Sequence, residues 1–421
     1  MPSVPEPREQ PELARWLRPG DHVWCGQGAA EPLSLTTALV RQAPRIGRLN
    51  AFIGMLFSDT FADARQQGLA LTGYGGIGNG RHLLKSGAMQ VVACHYSQIA
   101  GLVARGELRC DVVMLQLSPR GPDGRHSLGI AHDYLPLLAR HARVVIAEVN
   151  EQMPWTHGSA EALDALRIDA SVQVSRPLLE TGGPAPGDVE RRIAAHAAAF
   201  VEDRCVLQPG VGTVPDAILE SLGDRRDLGI HAGLVGDGVR KLMQSGAVSN
   251  AFKEFDAGRS TTGLAFGSQA LYRFVERNPD IVMRDPDTTH AAASLARLSR
   301  LVTLNSAVEV DLGGQVNAEL AGRAYVGAIG GQGDFVRAAL NSPGGRSIIA
   351  LPSLTKDGAS RIVGALAGGV VTTPRSDADI VVTEWGAAQL RGQTMAERCR
   401  RLIAIAAPQH REALERGATA P

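Results

Sequence analysis

Long hydrophobic runs, paired cysteines, basic stripes and aromatic rings are all scarce in this chain, and each shortage removes a class of function. The longest apolar stretches, such as Ile362 to Thr373, are broken by glycines and stop short of the roughly 20 residues a membrane-spanning helix needs, so no membrane partner is expected. Lys+Arg and Asp+Glu both number 43, the formal charge cancels to zero, and no dense Lys/Arg stripe occurs. A nucleic-acid partner is therefore not expected. The 5 cysteines (Cys25, Cys94, Cys110, Cys205, Cys399) are odd in number and widely spaced, with no C-x-x-C pair and no histidine at ligand spacing. They read as reduced thiols in a cytoplasmic protein without a metal site. Cys25 stands beside glycines and admits two readings, nucleophile or small core residue; no visible base accompanies it, which favours the second. The first ten residues carry prolines and acids and no apolar core, which does not fit a secretory leader. Phe, Trp and Tyr number only 9, 4 and 5 against 48 glycines, a ratio that favours tight turns and close backbone approach over aromatic ligand cages.

What is present points to an α/β chain. A length of 421 residues suggests two domains at about 100–200 residues each. Short Val/Ile-rich runs alternate with segments of helical spacing, as in parallel strands covered by helices. Strands are expected at Val91–Cys94, Asp111–Leu117, Ala142–Val149, Arg204–Gln208, Ser347–Leu351, Gly369–Thr372 and Ile380–Thr383; helices at Pro32–Gln42, Asp133–Arg140, Val189–Asp203 and Met395–Ala407. The Gly/Pro-rich stretch Glu180 to Asp188 reads as a linker or a long surface loop, and a boundary near 200 divides the chain into 1–200 and 201–421.

A weak internal repetition supports that division. Asp21-His-Val-Trp-Cys-Gly-Gln-Gly-Ala-Ala-Glu-Pro32 and Arg204-Cys-Val-Leu-Gln-Pro-Gly-Val-Gly-Thr-Val-Pro215 each read as strand, G-x-G turn and a proline suited to a helix start. Two related α/β domains follow. A G-x-G turn at a helix start can hold an anion through free N–H groups, or serve packing alone. Gly73 to Gly80 reads as an irregular loop, since neither it nor either G-x-G turn is a full dinucleotide fingerprint.

From Val302 to Leu312 apolar and polar residues alternate strictly, which predicts one strand with Asn305, Glu309 and Asp311 on one face. Taken alone, that pattern favours a polar face turned to water. Close behind comes Gly327-Ala-Ile-Gly-Gly-Gln-Gly-Asp-Phe335, a turn able to aim several N–H groups at one point. A carboxylate beside such a turn suits acyl transfer, with the carboxylate as nucleophile and the N–H groups stabilising an oxyanion.

These segments, from Asn305 to Glu319, then Gly327 to Gln332, Ile348-Ile-Ala-Leu-Pro-Ser353, Val371-Thr-Thr-Pro-Arg375 and Val381-Val-Thr-Glu-Trp-Gly386, resemble the acetyl-CoA hydrolase/transferase family. This is the class I CoA-transferase group that includes 4-hydroxybutyrate CoA-transferase. Upstream, Gly26 to Pro32, Ala147 to Pro154, Thr156-His-Gly158 and Asp227 to His231 fit the same pattern in order. The resemblance implies two open α/β CoA-transferase-type domains with parallel-rich sheets and covering helices. It makes Glu309 the nucleophile, forming an acyl-glutamyl anhydride and then a glutamyl-CoA thioester. It implies that Gly327, Gly330, Gly331 and Gln332 line the CoA and oxyanion site, and that Gly26, Gly28 and Glu31 of the other domain face the acyl group across a cleft. The substrates implied are an acyl-CoA and a small carboxylate, with coenzyme A as substrate and no permanently bound cofactor, in a homodimer. Acyl-CoA hydrolysis through the same Glu, and a CoA-binding protein without turnover, are the alternatives.

The chain also departs from the pattern. Thr288-Thr-His290 stands where an Asn-Asp-Pro turn is expected, Trp385 where tyrosine is usual, and Cys94-His-Tyr-Ser97 is also unusual, so the acyl pocket need not suit acetate or 4-hydroxybutyrate. His290 and His95 read as substrate-carboxylate partners or, with more weight, as a capped turn and a packed core residue. Asp311 reads as structural, because two adjacent carboxylates raise each other's pKa. Lys356 and Arg375 are candidates for CoA phosphates, or solvated surface charges.

Overall fold

Val112–Leu117 and Val144–Asn150 are buried along their whole length, as strands covered on both faces must be. They lie in the first of two compact units into which the chain divides, Met1–Thr181 with Thr262–Asp287, and Gly182–Thr261 with Thr288–Pro421. The computed structural model describes residues 11–158, 160–164, 166–368 and 370–417. The division falls within the Gly/Pro-rich stretch rather than near 200, and the second half of the chain returns one segment to the first unit. That segment is held by backbone bonds from Ala265 N–H to Ile130 O (2.9 Å), His132 N–H to Gly263 O (2.8 Å) and Thr181 N–H to Gly267 O (3.0 Å).

In the first unit β1 (His22–Cys25), β2 (Leu49–Ile53), β3 (Leu69–Gly73), β4 (Met89–Val91), β5 (Val112–Leu117), β6 (Val144–Asn150) and β7 (Ala170–Val174) form one sheet in the order β4-β3-β2-β1-β5-β6-β7. Every pairing in it is parallel. The helix Leu33–Ile46 buries Leu35, Ala38, Leu39 and Ala43 in a core shared with Val23, Val112, Met114 and Ile146. β4 ends where a strand from Val91 was expected to begin. Its last ladder bond is Val92 N–H to Gly73 O (2.8 Å), after which the chain turns at His95 into a short 3-10 helix.

In the second unit β8 (Val206–Pro209) is flanked by β9 (Gly229–Val235). Most of β10 (Ser260–Ala265) and all of β11 (Ile281–Met283) lie in the segment returned to the first unit. The strands then continue as β12 (Leu301–Ser306), β13 (Glu309–Asp311), β14 (Val316–Asn317), β15 (Leu320–Ala321), β16 (Ala324–Tyr325), β17 (Arg346–Ala350), β18 (Ile362–Val363), β19 (Ile380–Thr383) and β20 (Gly386–Gln389). Within this unit the main sheet runs β9-β8-β12-β17-β19-β20, and β13 is the middle strand of a small sheet, β14-β13-β18. The strand expected at Gly369–Thr372 begins at a residue outside those described, as does the whole stretch Met1 to Gln10. Val370 to Thr372 form no strand, and Thr373 instead bridges Val316.

The single strand expected from Val302 to Leu312 is two. β12 stays in the main sheet to Ser306, and the chain then leaves it because the N–H groups of Val308, Val310 and Leu312 bond Asn317 O, Arg361 O and Val363 O in the small sheet (2.8, 2.9 and 2.9 Å).

The two units repeat one device. β1 lies between β2 and β5, and β8 between β9 and β12, all parallel. The glycine ending each first strand bonds across this reversal point, Gly26 N–H to Met114 O (2.8 Å) and Gly210 N–H to Leu304 O (2.6 Å). In open α/β sheets such a reversal leaves a crevice beyond the strand ends where ligands bind.

Candidate active site

Glu309 follows the C-terminal end of β12, at the reversal point of the second unit. It is half-buried. Its Oε1 accepts a hydrogen bond from Asn317 Nδ2 at 3.0 Å, directly across the β13–β14 pairing. Asn317 is itself fixed: its Nδ2 also donates to Leu320 O (2.8 Å), and its Oδ1 accepts from the N–H groups of Glu319 (3.0 Å) and Leu320 (2.9 Å). On the other side of β13 lies Arg361. Burial lowers its pKa and the nearby charge of Glu309 opposes that shift. Asp311 does not join Glu309. It is buried and holds the β13–β14 turn, accepting from Gly313 N–H (2.9 Å), Gln315 N–H (2.9 Å) and Gln315 Nε2 (2.8 Å).

The glycine turn is tied to this hairpin. Gln332 Nε2 donates to Thr373 Oγ1 (3.0 Å), and Val316 N–H donates to Thr373 O (3.0 Å), one residue from Asn317. Gly327 N–H is spent on Glu319 O (3.1 Å), and a Cβ there would lie 2.1 Å from Ala318 O, so Gly327 serves close packing. Gly330 has φ 53° and open space where a Cβ would be. Gly331 immediately precedes the helix Gln332–Asn341, whose first N–H groups have no intrahelical acceptor and favour negative charge. His290 lies beneath this turn. It is buried, its ring 4.9 Å from that of Phe335, and a Cβ on Gly331 would come within 2.5 Å of its Nε2. Burial, with His231 second, holds its pKa down to about 3, so it is a neutral packed residue.

In the first unit Gly26 and Gly28 flank the buried Gln27. A Cβ on Gly28 (φ 59°) would strike the rings of Phe266 (2.4 Å) and Phe57 (2.9 Å). Glu31 is enclosed rather than open to a ligand. Its carboxylate accepts from Thr36 Oγ1 (2.7 Å) and Ser58 Oγ (2.6 Å), and burial pushes its pKa up against those bonds and the Arg176 charge. Its carbonyl takes Gln116 Nε2 (2.9 Å) and Arg176 Nη2 (2.8 Å), while Arg176 pairs with the buried Glu148. The motif from Ala147 to Pro154 thus braces this turn. The scarce aromatics also collect here: Trp24 stacks on Phe52 with ring centres 3.8 Å apart, and Tyr74, Tyr96 and Tyr134 meet edge-on or tilted around Gln27. Gln27 bonds Tyr74 OH (2.7 Å), Tyr96 OH (3.2 Å) and Asp133 (2.9 Å), whose pKa burial raises to about 6.

Lys356 and Arg375 are both exposed, and the Arg375 carbonyl receives Arg398 Nη1 (2.6 Å). Cys25 is fully buried and burial drives its thiol pKa far upward, with Glu31 adding to the effect, so it is no nucleophile. His95 starts the 3-10 turn Tyr96–Gln98, its N–H bonded to Gln98 Oε1 (3.0 Å). Gly78 packs against Leu56 O, where a Cβ would come within 2.1 Å, so the loop Gly73 to Gly80 uses glycine for packing. Trp385 is exposed on one side and donates from Nε1 to Ser353 Oγ (3.1 Å). Among the described residues no cluster of three His, Cys, Asp or Glu side chains is placed to hold a metal, and no helix is long and apolar enough to cross a membrane.

Sequence reasoning gave no role to Asn317 or Arg361. Asn317 carried a signal, since Asp311-Leu-Gly-Gly-Gln315 is a hairpin turn that sets it opposite Glu309. Arg361 carried none, because its strand is brought beside β13 from a distant part of the chain.

Comparison with known proteins bears on both units. Residues 7–174 match the acetyl-CoA hydrolase/transferase N-terminal domain, and residues 267–418 match the C-terminal domain of the same name. The chain is 39% identical over 336 residues to 4-hydroxybutyrate coenzyme A transferase of Clostridium kluyveri, covering 79% of this chain and 78% of that protein. The crystal structure of RipA from Yersinia pestis superposes with a TM-score of 0.88 at 33% identity, covering 96% of this chain and 95% of that one. That of a 4-hydroxybutyrate CoA-transferase from Porphyromonas gingivalis superposes with a TM-score of 0.79, also at 33% identity, covering 96% and 94%.

Proposed function

The chain belongs to the acetyl-CoA hydrolase/transferase family, and from that membership we propose that it moves coenzyme A from a short-chain acyl-CoA to a small carboxylate through a thioester on Glu309. The observation that carries this reading is the setting of Glu309. Asn317 holds Oε1, while Oε2 has no hydrogen-bond partner among the described residues and is left to attack. In the first step that oxygen attacks the acyl-CoA carbonyl carbon; a C–O bond forms, the C–S bond breaks and CoA leaves as thiolate. The thiolate then attacks the glutamyl carbonyl of the anhydride, forming the glutamyl-CoA thioester and releasing the first acid as carboxylate. A second carboxylate reverses both steps and carries CoA away, so the kinetics are ping-pong. The open turn at Gly330, Gly331 and Gln332 is proposed to stabilise the oxyanions, each donor being worth about 10²–10³ in rate. The exposed Lys356 and Arg375 are proposed to meet CoA phosphates. In the first unit the family pattern assigns acyl recognition to Gly26 and Gly28, and the enclosed Glu31 is proposed as the brace of their turn.

The test is incubation with a panel of acyl-CoAs, borohydride reduction and mass spectrometry of the Glu309 peptide. A reduced residue at Glu309, absent from Glu309→Ala together with the exchange activity, is the expected result; full activity in Glu309→Ala refutes the mechanism. The family description also covers hydrolases. Loss of acyl-CoA at a rate indifferent to added carboxylate would assign water, not a carboxylate, as the acceptor.

A further inference from the structure

The sheet of the first unit is covered unequally at its β7 end. On one face Val112, Met114, Val144 and Ile146 lie in the core, with Ala170 and Val172 packed against it. On the other face the register sets Leu117, Val149 and Gln173 in one row across β5, β6 and β7, and Ala147 and Ser171 in the row before it. Leu117, Ala147 and Val149 are buried, whereas Ser171 and Gln173 are exposed. All five line a cavity of about 480 Å³, within the size range of small-molecule sites. Its wall is a rigid hairpin from Ser118 to Ser127. Backbone bonds run from Ser118 N–H to Ser127 O (2.9 Å) and from Gly121 N–H to Arg125 O (2.7 Å), and Trp155 Nε1 pins the tip through Arg125 O (3.2 Å). β6 and β7 lie on the far side of β5 from β1, so the cavity is separate from the turn at Gly26 and Gly28.

Two opposite charges line this cavity without closing on each other. Arg120, on the hairpin, gives Nη1 to Gly124 O (2.6 Å) and makes no other hydrogen bond or ion pair to a described residue. Glu151 follows the end of β6, and its carboxylate has no partner among them. His126 donates from Nδ1 to Ser118 O (2.6 Å), a carbonyl that can only accept, which fixes Nε2 of the neutral ring as an acceptor. Beyond the buried floor, the exposed Ile168 adds apolar surface at the rim. A plain carboxylate would meet Arg120 and be repelled by Glu151; a plain amine would meet the reverse. A zwitterion answers both charges, and a guanidinium held by one bond is suited to a carboxylate. We propose that the cavity binds an α-amino acid with an apolar side chain, its carboxylate on Arg120, its ammonium on Glu151 and its side chain on the floor of Leu117, Ala147 and Val149. The site is additional to the acyl-transfer chemistry and does not depend on it.

Leucine and phenylalanine test the proposal, together with two leucine analogues that each lack one charge, 4-methylpentanoate and 3-methylbutylamine. Isothermal titration of the full chain is expected to show at least one amino acid binding, and each analogue binding about 10-fold or more weakly than leucine or phenylalanine, the size of a charge-assisted hydrogen bond. Arg120→Ala is expected to weaken the amino acid about 10-fold or more and to leave 3-methylbutylamine unchanged. Glu151→Gln is expected to weaken the amino acid similarly and to remove the disadvantage of 4-methylpentanoate. Ser171→Phe fills the cavity from its floor without altering a charge and is expected to abolish binding. Thermal melting followed by circular dichroism checks that each variant is folded. Binding of neither amino acid up to about 10 mM overturns the proposal, as does affinity that all three folded variants leave unchanged, or analogues that bind as tightly as the amino acids. If one variant does not fold, the other two carry the same test.

Discussion

Asn317 does two jobs with one amide, donating to Glu309 while its oxygen gathers the N–H groups that turn the chain after β14. Asn317→Asp keeps the oxygen and replaces the donor with a second negative charge, so it is expected to lose more activity than Asn317→Ala, which should lose about 10-fold in kcat/KM. Steady-state kinetics of the two variants decide; the reverse order would mean that the turn, not the donor, is what matters. The buried histidines make a separate point. His231 and His290 are held down to about 3 from an ordinary 6.5, in both cases chiefly by burial, with Lys253 second for His231 and His231 second for His290. The unfolded chain takes up those protons as pH falls below about 6.5 while the fold refuses them, so the stability they contribute is present above that pH and is lost on the way down to about 3. Urea unfolding between about pH 7 and pH 4 should show stability falling with acid, and His290→Gln should flatten part of that slope; an unchanged slope would contradict the burial argument.

Among the elements, the turn before the helix Gln332–Asn341 depends on the imidazole beneath it. Gly331 has φ −93°, which any residue can adopt, so Gly331→Ala is opposed only by His290, whose Nε2 and Cδ2 would lie 2.5 and 2.6 Å from the new Cβ. We expect Gly331→Ala to cost about 10-fold or more in kcat, as displaced oxyanion donors do, and His290→Ala to restore part of it in the double variant. Additive losses would show that the two do not press on each other. Much of this level was legible beforehand. Val144–Asn150 and Ile380–Thr383 stand where apolar runs placed strands, and the repeated strand-turn-helix reappears in Gly26 and Gly210 with matching bonds. The break after Ser306 was not legible, because alternation continues unchanged through two strands of different sheets and only the partners of Val308, Val310 and Leu312 separate them. Glu31 also reads in sequence as a site carboxylate, and only the hydroxyls of Thr36 and Ser58, one of them from a distant loop, show it to be enclosed.

At the scale of the whole chain, the first unit is completed late, by Thr262–Asp287. Phe266 from that segment packs against Gly28, its ring 5.7 Å from that of Phe57. A fragment ending at Thr181 therefore lacks part of its own core and the backbone partners of Ile130 and His132. We expect it to show no cooperative thermal transition by circular dichroism, while the full chain melts cooperatively; a sharp transition in the fragment would mean the returned segment is dispensable.

The two units share their opening strand, glycine turn and reversal point, yet among the described residues only the second adds the small sheet β14-β13-β18. The first passes from β5 to β6 without a small sheet; the second leaves β12 for an excursion holding Glu309, Asn317 and the Gly330–Gln332 turn before reaching β17. The framework common to both units and the proposed chemistry are separable, since the carboxylate proposed to react sits in an excursion between β12 and β17 rather than in the arrangement both units have in common.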